Sequence, residues 1–209
     1  MQTIDLPARP AGPATVVADL VRPSGRAARL AWTIATVVAG SLLVAASARI
    51  AMPLPFTPVP VSMQSFAVLL VGALLGPRRG AASLALYLAQ GAAGLPVFVG
   101  GGGLHMLLGP TGGYLFAFVP AAWLVGLLAG RGWDRGFLGT AVAMSFGSGL
   151  ILLTGTAWLA VMLGSIEVAV VQGLLPFLPG AVFKIALAAA VLPAGWWWLS
   201  RFDPSSPAG

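Results

Sequence analysis

The sequence predicts an all-α integral membrane protein of six transmembrane helices with both termini in the cytoplasm, and three observations predict it. The 209 residues are 58% hydrophobic and only 8% charged, with a mean hydropathy of +0.96, against about 25% charged in an ordinary soluble domain. Six apolar runs follow one another, separated by Pro- and Gly-rich or basic connections. Every second connection carries arginine and the others carry neither Lys nor Arg, the asymmetry expected when cytoplasmic loops collect positive charge.

Residues 1–28 are rich in Pro, Ala and Arg and lack the apolar core and cleavage site of a signal peptide, so they read as a disordered cytoplasmic tail ahead of a membrane domain over 29–200. The first span is residues 30–52, close to the roughly 20 apolar residues a spanning helix needs. "PLPFTPVPV" at 53–61 holds four prolines in nine residues and forces an extended connection. A second span over 62–77 ends at Gly76 and Pro77, and a third covers 80–93; both are short and imply tilt. "GLPVFVGGGGLHMLLGPTGGY" at 94–114 puts eight glycines and two prolines in an apolar setting, where unpaired backbone groups are costly. A lid whose glycines allow close backbone approach to a ligand resolves that conflict. The fourth span is 113–130, the fifth 136–163 after "RGWDRG", and the sixth 180–199 after the connection 164–180, with a cytoplasmic tail over 201–209.

Arg22, Arg26 and Arg29 precede the first span, Arg78 and Arg79 follow the second, Arg131 and Arg135 follow the fourth, and Arg201 follows the sixth. Trp32, Trp133 and Trp196 to Trp198 fall at cytoplasmic ends and Trp158 near an outer end, as interfacial aromatics do. The connections 53–61, 94–112 and 164–180 therefore all lie outside. With charges scattered in this way, the formal net charge of +6 reflects topology and not a nucleic-acid face.

The same composition removes whole classes of chemistry. There is no cysteine, one histidine and no asparagine, so thiolate sites, disulfides and a metal cluster are not expected; His105 reads as a loop hydrogen-bonding group. The P-loop signature needs Gly-Lys-Ser/Thr, yet Phe183 precedes Lys184, the one lysine. An intramembrane enzyme would need paired acids or a nucleophile with a base at membrane depth. Apart from Asp5, Asp19 and Asp203 near the ends, only Asp134 and Glu167 are acidic, and they fall on opposite sides.

Binding is what remains. Arg49 and Lys184 sit in or beside apolar spans, where ionisable groups face a cavity or a partner or else snorkel to the interface; for Lys184 the cavity is the preferred reading. Gln64 and Gln90 lie inside the second and third spans and either pair between helices or contact ligand. Leu95, Phe98, Tyr87 and Tyr114 are ordinary packing residues or the wall of an apolar pocket, with Thr111 offering a hydroxyl. Ala31, Ala35 and Ala39 repeat every four residues along the first span, a spacing that admits a close helix, internal or from a partner.

Four segments, "IAMPLPFTPVPVSMQSFAVLLVGALLGPRRG", "YLAQGAAGLPVFVGGGG", "GPTGGYLFAF" and "PFLPGAVFK", together closely resemble the BioY family, the biotin-specific substrate-binding (S) components of energy-coupling-factor (ECF) vitamin transporters. The resemblance spans roughly residues 45–190 in order. It implies the six-helix S-component fold, a plasma-membrane (inner-membrane) location, high-affinity binding and uptake of biotin with no other cofactor, and a pocket closed by the outer loops. It further implies docking through Ala31, Ala35 and Ala39 onto a transmembrane coupling protein that carries two ATPases, although some members of the family work without dedicated ATPases, so solitary or oligomeric function stays open.

The start of the sixth span departs from the family pattern, which resembles Gly-Asp-x-x-Lys; this chain reads Gly180, Ala181, Val182, Phe183, Lys184. Biotin's ureido ring presents two N–H donors, and a buried donor without an acceptor costs about 1 to 3 kcal/mol. The expectation is that Lys184 still binds the ligand while the acceptor comes from Gln90 or Gln64, from Thr111, or from loop carbonyls. An S component for a different vitamin is the alternative that the missing carboxylate keeps open.

Overall fold

The computed structural model describes residues 16–201, and a helix of at least twelve residues stands on each of the six predicted spans. In chain order the elements are α1 (Arg26–Ser47), the strands β1 (Ala51–Met52) and β2 (Val61–Ser62), α2 (Gln64–Leu75), α3 (Pro77–Ala92), α4 (Leu104–Leu108), α5 (Gly112–Ala129), α6 (Phe137–Leu163), α7 (Ile166–Gly173) and α8 (Leu178–Arg201). The chain is an all-α membrane protein. Taken alone, α1, α5, α6 and the stretch Ile166–Leu199 are long and apolar enough to cross a bilayer. With 12 and 16 residues, α2 and α3 rise only about 18 and 24 Å, less than the roughly 30 Å of hydrocarbon.

Helix α5 is the axis of the fold, with two thirds of its apolar window buried, whereas the window of α1 is 17% buried. The exposed faces of α1 and α6 show Leu30, Ile34 and Leu42, and Leu138, Leu153 and Val161; in lipid such side chains have no reason to turn inward. Small residues set the central packing. A Cβ on Gly72 would stand 2.9 Å from the Ala122 Cα, and one on Gly80 would stand 3.0 Å from the Gly72 Cα, so α2, α3 and α5 meet backbone to backbone. The corner between α2 and α3 turns at Gly76, whose φ of +82° suits glycine, and Pro77 opens α3 with no N–H to leave unpaired.

Three expectations are corrected. Residues 16–28 do not behave as tail: Val16 and Ala18 are buried, and the Trp32 indole N–H donates to the Ala18 carbonyl at 3.1 Å. Asp19 pairs with Arg79 at 2.7 Å, so an arginine read as a topological marker also pins the N-terminal segment over the α2–α3 corner. The expected tails over 1–15 and 202–209 lie outside the described residues. The outer connections are also more regular than their prolines and glycines suggest. Strands β1 and β2 pair antiparallel across the first, with Ala51 opposite Ser62 and Met52 opposite Val61. Helices α4 and α7 occupy the second and third, and α7 starts from Ser165, which caps the Val168 N–H at 3.3 Å. Finally, the first span ends at Ser47, five residues before its expected limit, in a turn that feeds β1.

On the opposite side, the turn Trp133–Arg135 between α5 and α6 is tied to α8. The Trp196 indole donates to Asp134 Oδ2 at 2.6 Å, and the Arg135 guanidinium stacks over the Trp196 ring at 5.0 Å. Asp134 is 1% exposed, and its Oδ1 has no partner among the described residues.

Candidate functional site

The three outer connections converge on a cleft of about 770 Å³, part of it open to the outside, bounded by β2 and the start of α2, by the loop around Phe98, and by α5, α6 and the start of α8. Its location follows from the breakers. Pairing of β1 with β2, with the Met63 N–H donating to Ile50 at 3.0 Å, closes the proline loop and returns the chain at Ser62. The glycine-rich loop folds on itself: Phe98 and Gly101 exchange backbone bonds of 2.9 and 3.2 Å, and the Gly103 N–H reaches back to Gly91 at 2.6 Å. Gly94, Gly100, Gly101 and Gly103 all have positive φ, between 87° and 145°, which only glycine adopts without strain. The loop thus satisfies much of its own backbone and directs Phe98 into the cavity wall.

Phe98 is 2% exposed and stands edge-on to Tyr87, with ring centroids 5.3 Å apart. It occupies the space that a side chain at Gly91 would fill. Across the cavity Tyr114 lies against Phe177 at 6.0 Å, its hydroxyl donating to the Gly173 carbonyl at 2.6 Å. Leu115, Phe118, Ile151 and Leu152 complete an apolar wall.

The polar groups in the lining are Ser62, Gln64, Ser65, Thr111, Tyr114, Ser148 and Lys184, and no acidic residue is among them. Lys184 Nζ donates to the Ser62 carbonyl at 2.6 Å and to Ser65 Oγ at 2.9 Å. An ammonium has three donors, so one is left for the cavity. Gln64 is bonded at both ends: Oε1 accepts from the Ser62 hydroxyl at 3.1 Å and Nε2 donates to the Tyr87 hydroxyl. The Thr111 hydroxyl donates to the Met106 carbonyl at 3.3 Å and keeps its lone pairs. Ser148 differs from its neighbour Ser145, which bonds back to the Ala141 carbonyl at 2.8 Å in the usual helical manner; the Ser148 hydroxyl has no partner among the described residues.

Five of the nine residues singled out as ligand contacts come together here: Lys184, Gln64, Thr111, Tyr114 and Phe98. The other four are placed elsewhere. Gln90 accepts from the Ser41 hydroxyl at 2.7 Å and pairs α3 with α1, outside the lining. Tyr87 is fully buried behind Phe98. Leu95 is 51% exposed on the outer surface of the loop, and Arg49, also exposed, donates to the Pro96 carbonyl at 2.6 Å. Ala181 lines the cavity one helical turn before Lys184. Ala31, Ala35 and Ala39 lie exposed along α1. Sequence reasoning missed Ser62, Ser65 and Ser148, although Ser65 adjoins Gln64 and Ser148 interrupts an apolar helix.

The model of the BioY family matches residues 21–201. A protein of Pyrococcus horikoshii named probable biotin transporter BioY is 41% identical over 135 residues, covering 64% of this chain and 78% of its own. The biotin transporter BioY of Rhizobium etli is 34% identical over 162 residues, 74% of this chain and 87% of the relative. The fold superposes on the crystal structure of the S-component for biotin from an ECF-type ABC transporter with a TM-score of 0.72 and 25% identity, covering 87% of this chain and 96% of that one.

Proposed function

Because the chain belongs to the BioY family, we propose that it binds biotin in the outer cavity and is the substrate-specific component of an ECF-type vitamin uptake system. The observation that carries the proposal is the unspent donor of Lys184 in an aromatic-walled cavity without a single acid. A cation with no counter-ion seeks an acceptor, and biotin has a ureido carbonyl and a carboxylate at opposite ends of an otherwise apolar body. Phe98, Tyr114, Phe118 and Phe177 suit its fused rings and chain.

The ureido N–H groups need acceptors, and the hydrogen bonds narrow the choice. Gln90 is outside the cavity lining, while Gln64 Oε1 accepts one bond, from the Ser62 hydroxyl, and keeps its second lone pair. Thr111, whose hydrogen is already donated, Ser148, whose hydroxyl is unpartnered, and the second lone pair of Gln64 Oε1 are the acceptors at hand. They stand in for the carboxylate that Ala181 lacks.

The proposal extends to a plasma-membrane location with cytoplasmic termini, and to a coupling partner that docks on the Ala31, Ala35, Ala39 stripe and supplies ATP hydrolysis. This chain acts by binding and not by catalysis; biotin is its cargo, and it needs no cofactor. An S component for a related vitamin is the second reading, favoured by Ala181 in the lining. Thermal unfolding of the purified protein with biotin, desthiobiotin and other vitamins separates the two. A ligand at 100 times its dissociation constant adds about 2.7 kcal/mol, so biotin should raise Tm clearly; a shift with another vitamin and none with biotin overturns the assignment.

A further inference from the structure

Two hydrogen-bonded stretches that meet at Ser62 cross five segments of the fold behind the cavity. The direction of the longer is fixed from one end, because the Val97 carbonyl can only accept. The Tyr87 hydroxyl therefore donates to Val97, at 3.1 Å, and its lone pair receives the Gln64 amide nitrogen. That orients the amide, turning Gln64 Oε1 toward the Ser62 hydroxyl, which donates to it at 3.1 Å. At the far end Lys184 of α8 donates to the carbonyl of the same Ser62 at 2.6 Å. The path runs from α8 through β2, α2 and α3 to the glycine-rich loop, and it ends one residue before Phe98.

We propose that Tyr87 is a positioning residue that couples occupancy of the cavity at Lys184 to the closed state of the loop 94–103, through Gln64 and Ser62. The inference rests on the binding role proposed above for Lys184. Tyr87 is fully buried and outside the cavity lining, so its hydroxyl acts on the ligand through the loop and not by contact. A ligand acceptor on the third Lys184 donor fixes the ammonium, and with it the Ser62 carbonyl. Fixing the Ser62 backbone places its hydroxyl, and the bonds from that hydroxyl through Gln64 and Tyr87 to Val97 form a linked series that strengthens in a low-dielectric interior. The loop is suited to respond. Its positive-φ glycines carry no side chains to anchor it, and the only other hydrogen bond it receives from a side chain among the described residues comes from Arg49, in the turn after α1, to the Pro96 carbonyl.

The test is amide exchange over 97–101 together with biotin release kinetics, on the full chain in detergent. In the wild type, saturating biotin is expected to slow that exchange about tenfold. Tyr87→Phe keeps the ring against Phe98 and removes the hydroxyl; it should release biotin about tenfold faster, with association little changed, and its loop should exchange at the ligand-free rate even when biotin is bound. Wild-type release, or wild-type protection of the loop by biotin, overturns the proposal. Should Tyr87→Phe fail to fold, the double variant Gln64→Leu with Tyr87→Phe removes both polar partners together and is read in the same way. A ligand-free arm stands apart from the biotin assignment: Lys184→Met should speed exchange over 97–101 and leave 166–173 unchanged, and equal exchange in both proteins refutes the linkage. If that arm holds while the wild type binds no biotin, the biotin reading fails and the linkage remains.

Discussion

Replacing Lys184 by Met tests the cation in isolation, because the apolar stem is nearly kept and the ammonium is lost. In the ligand-free protein the change removes two hydrogen bonds, to the Ser62 carbonyl at 2.6 Å and to Ser65 Oγ at 2.9 Å. It also removes the desolvation cost of an ammonium with no acid in the lining. These terms oppose each other, and breaking even with an apolar substitute is common for buried charges, so Tm without ligand should change little. Binding has no such compensation. A hydrogen bond from a charged donor is worth about 1.5 to 3 kcal/mol, which corresponds to a loss of affinity of about 10- to 150-fold at 1.4 kcal/mol per factor of ten. Calorimetric titration of biotin into the purified variant reads this directly. A dissociation constant within about threefold of wild type would refute the role given to Lys184.

Ser148→Ala deletes the unpartnered hydroxyl of the cavity and should weaken biotin binding by about one factor of ten without lowering Tm; unchanged affinity would remove Ser148 from the site. Ala181→Asp places a carboxylate one turn before Lys184 and should leave biotin affinity unchanged or increase it, and a large loss in the same titration would show that the acceptor is not needed there. Burial raises the Asp134 carboxyl pKa above its ordinary value, opposed by the Trp196 N–H, its own backbone N–H and Arg135. The folded state therefore favours the protonated form: the contribution is fully present below the ordinary carboxylate range and is lost as pH rises through the raised value. Asp134→Asn keeps an acceptor for Trp196 and should flatten this part of the Tm profile above the ordinary carboxylate range; a profile as steep as that of the wild type would contradict the assignment.

The spans were legible because apolar runs and alternating arginines are direct consequences of the bilayer, and each of the six carries a helix. Residues 16–28 read as tail because a short, proline-containing segment gives no sign that Asp19 will meet an arginine sixty positions later. The content of the outer connections was hidden for a related reason: β1 and β2 are two residues long, too short for any alternation to show. At the site, Lys184 and Gln64 stood out as polar groups in apolar runs. The same signal picked Gln90, yet its partner is Ser41 on a neighbouring helix, because periodicity places a residue within a helix but does not choose which neighbour it faces. Serines escaped notice since a helical serine normally satisfies itself, as Ser145 does and Ser148 does not. Tyr87, which the sequence leaves as ordinary packing or pocket wall, lies one layer behind the lining with its hydroxyl on Val97.

The central claim is that this chain alone, without a coupling partner, holds biotin in a cavity whose charge comes from Lys184. Titration of radiolabelled biotin into the purified chain, with Lys184→Met in parallel, tests it most directly. Saturable binding at one biotin per chain is expected in the wild type, weakened by at least about tenfold in the variant. Absence of saturable biotin binding to a folded wild-type chain would contradict it.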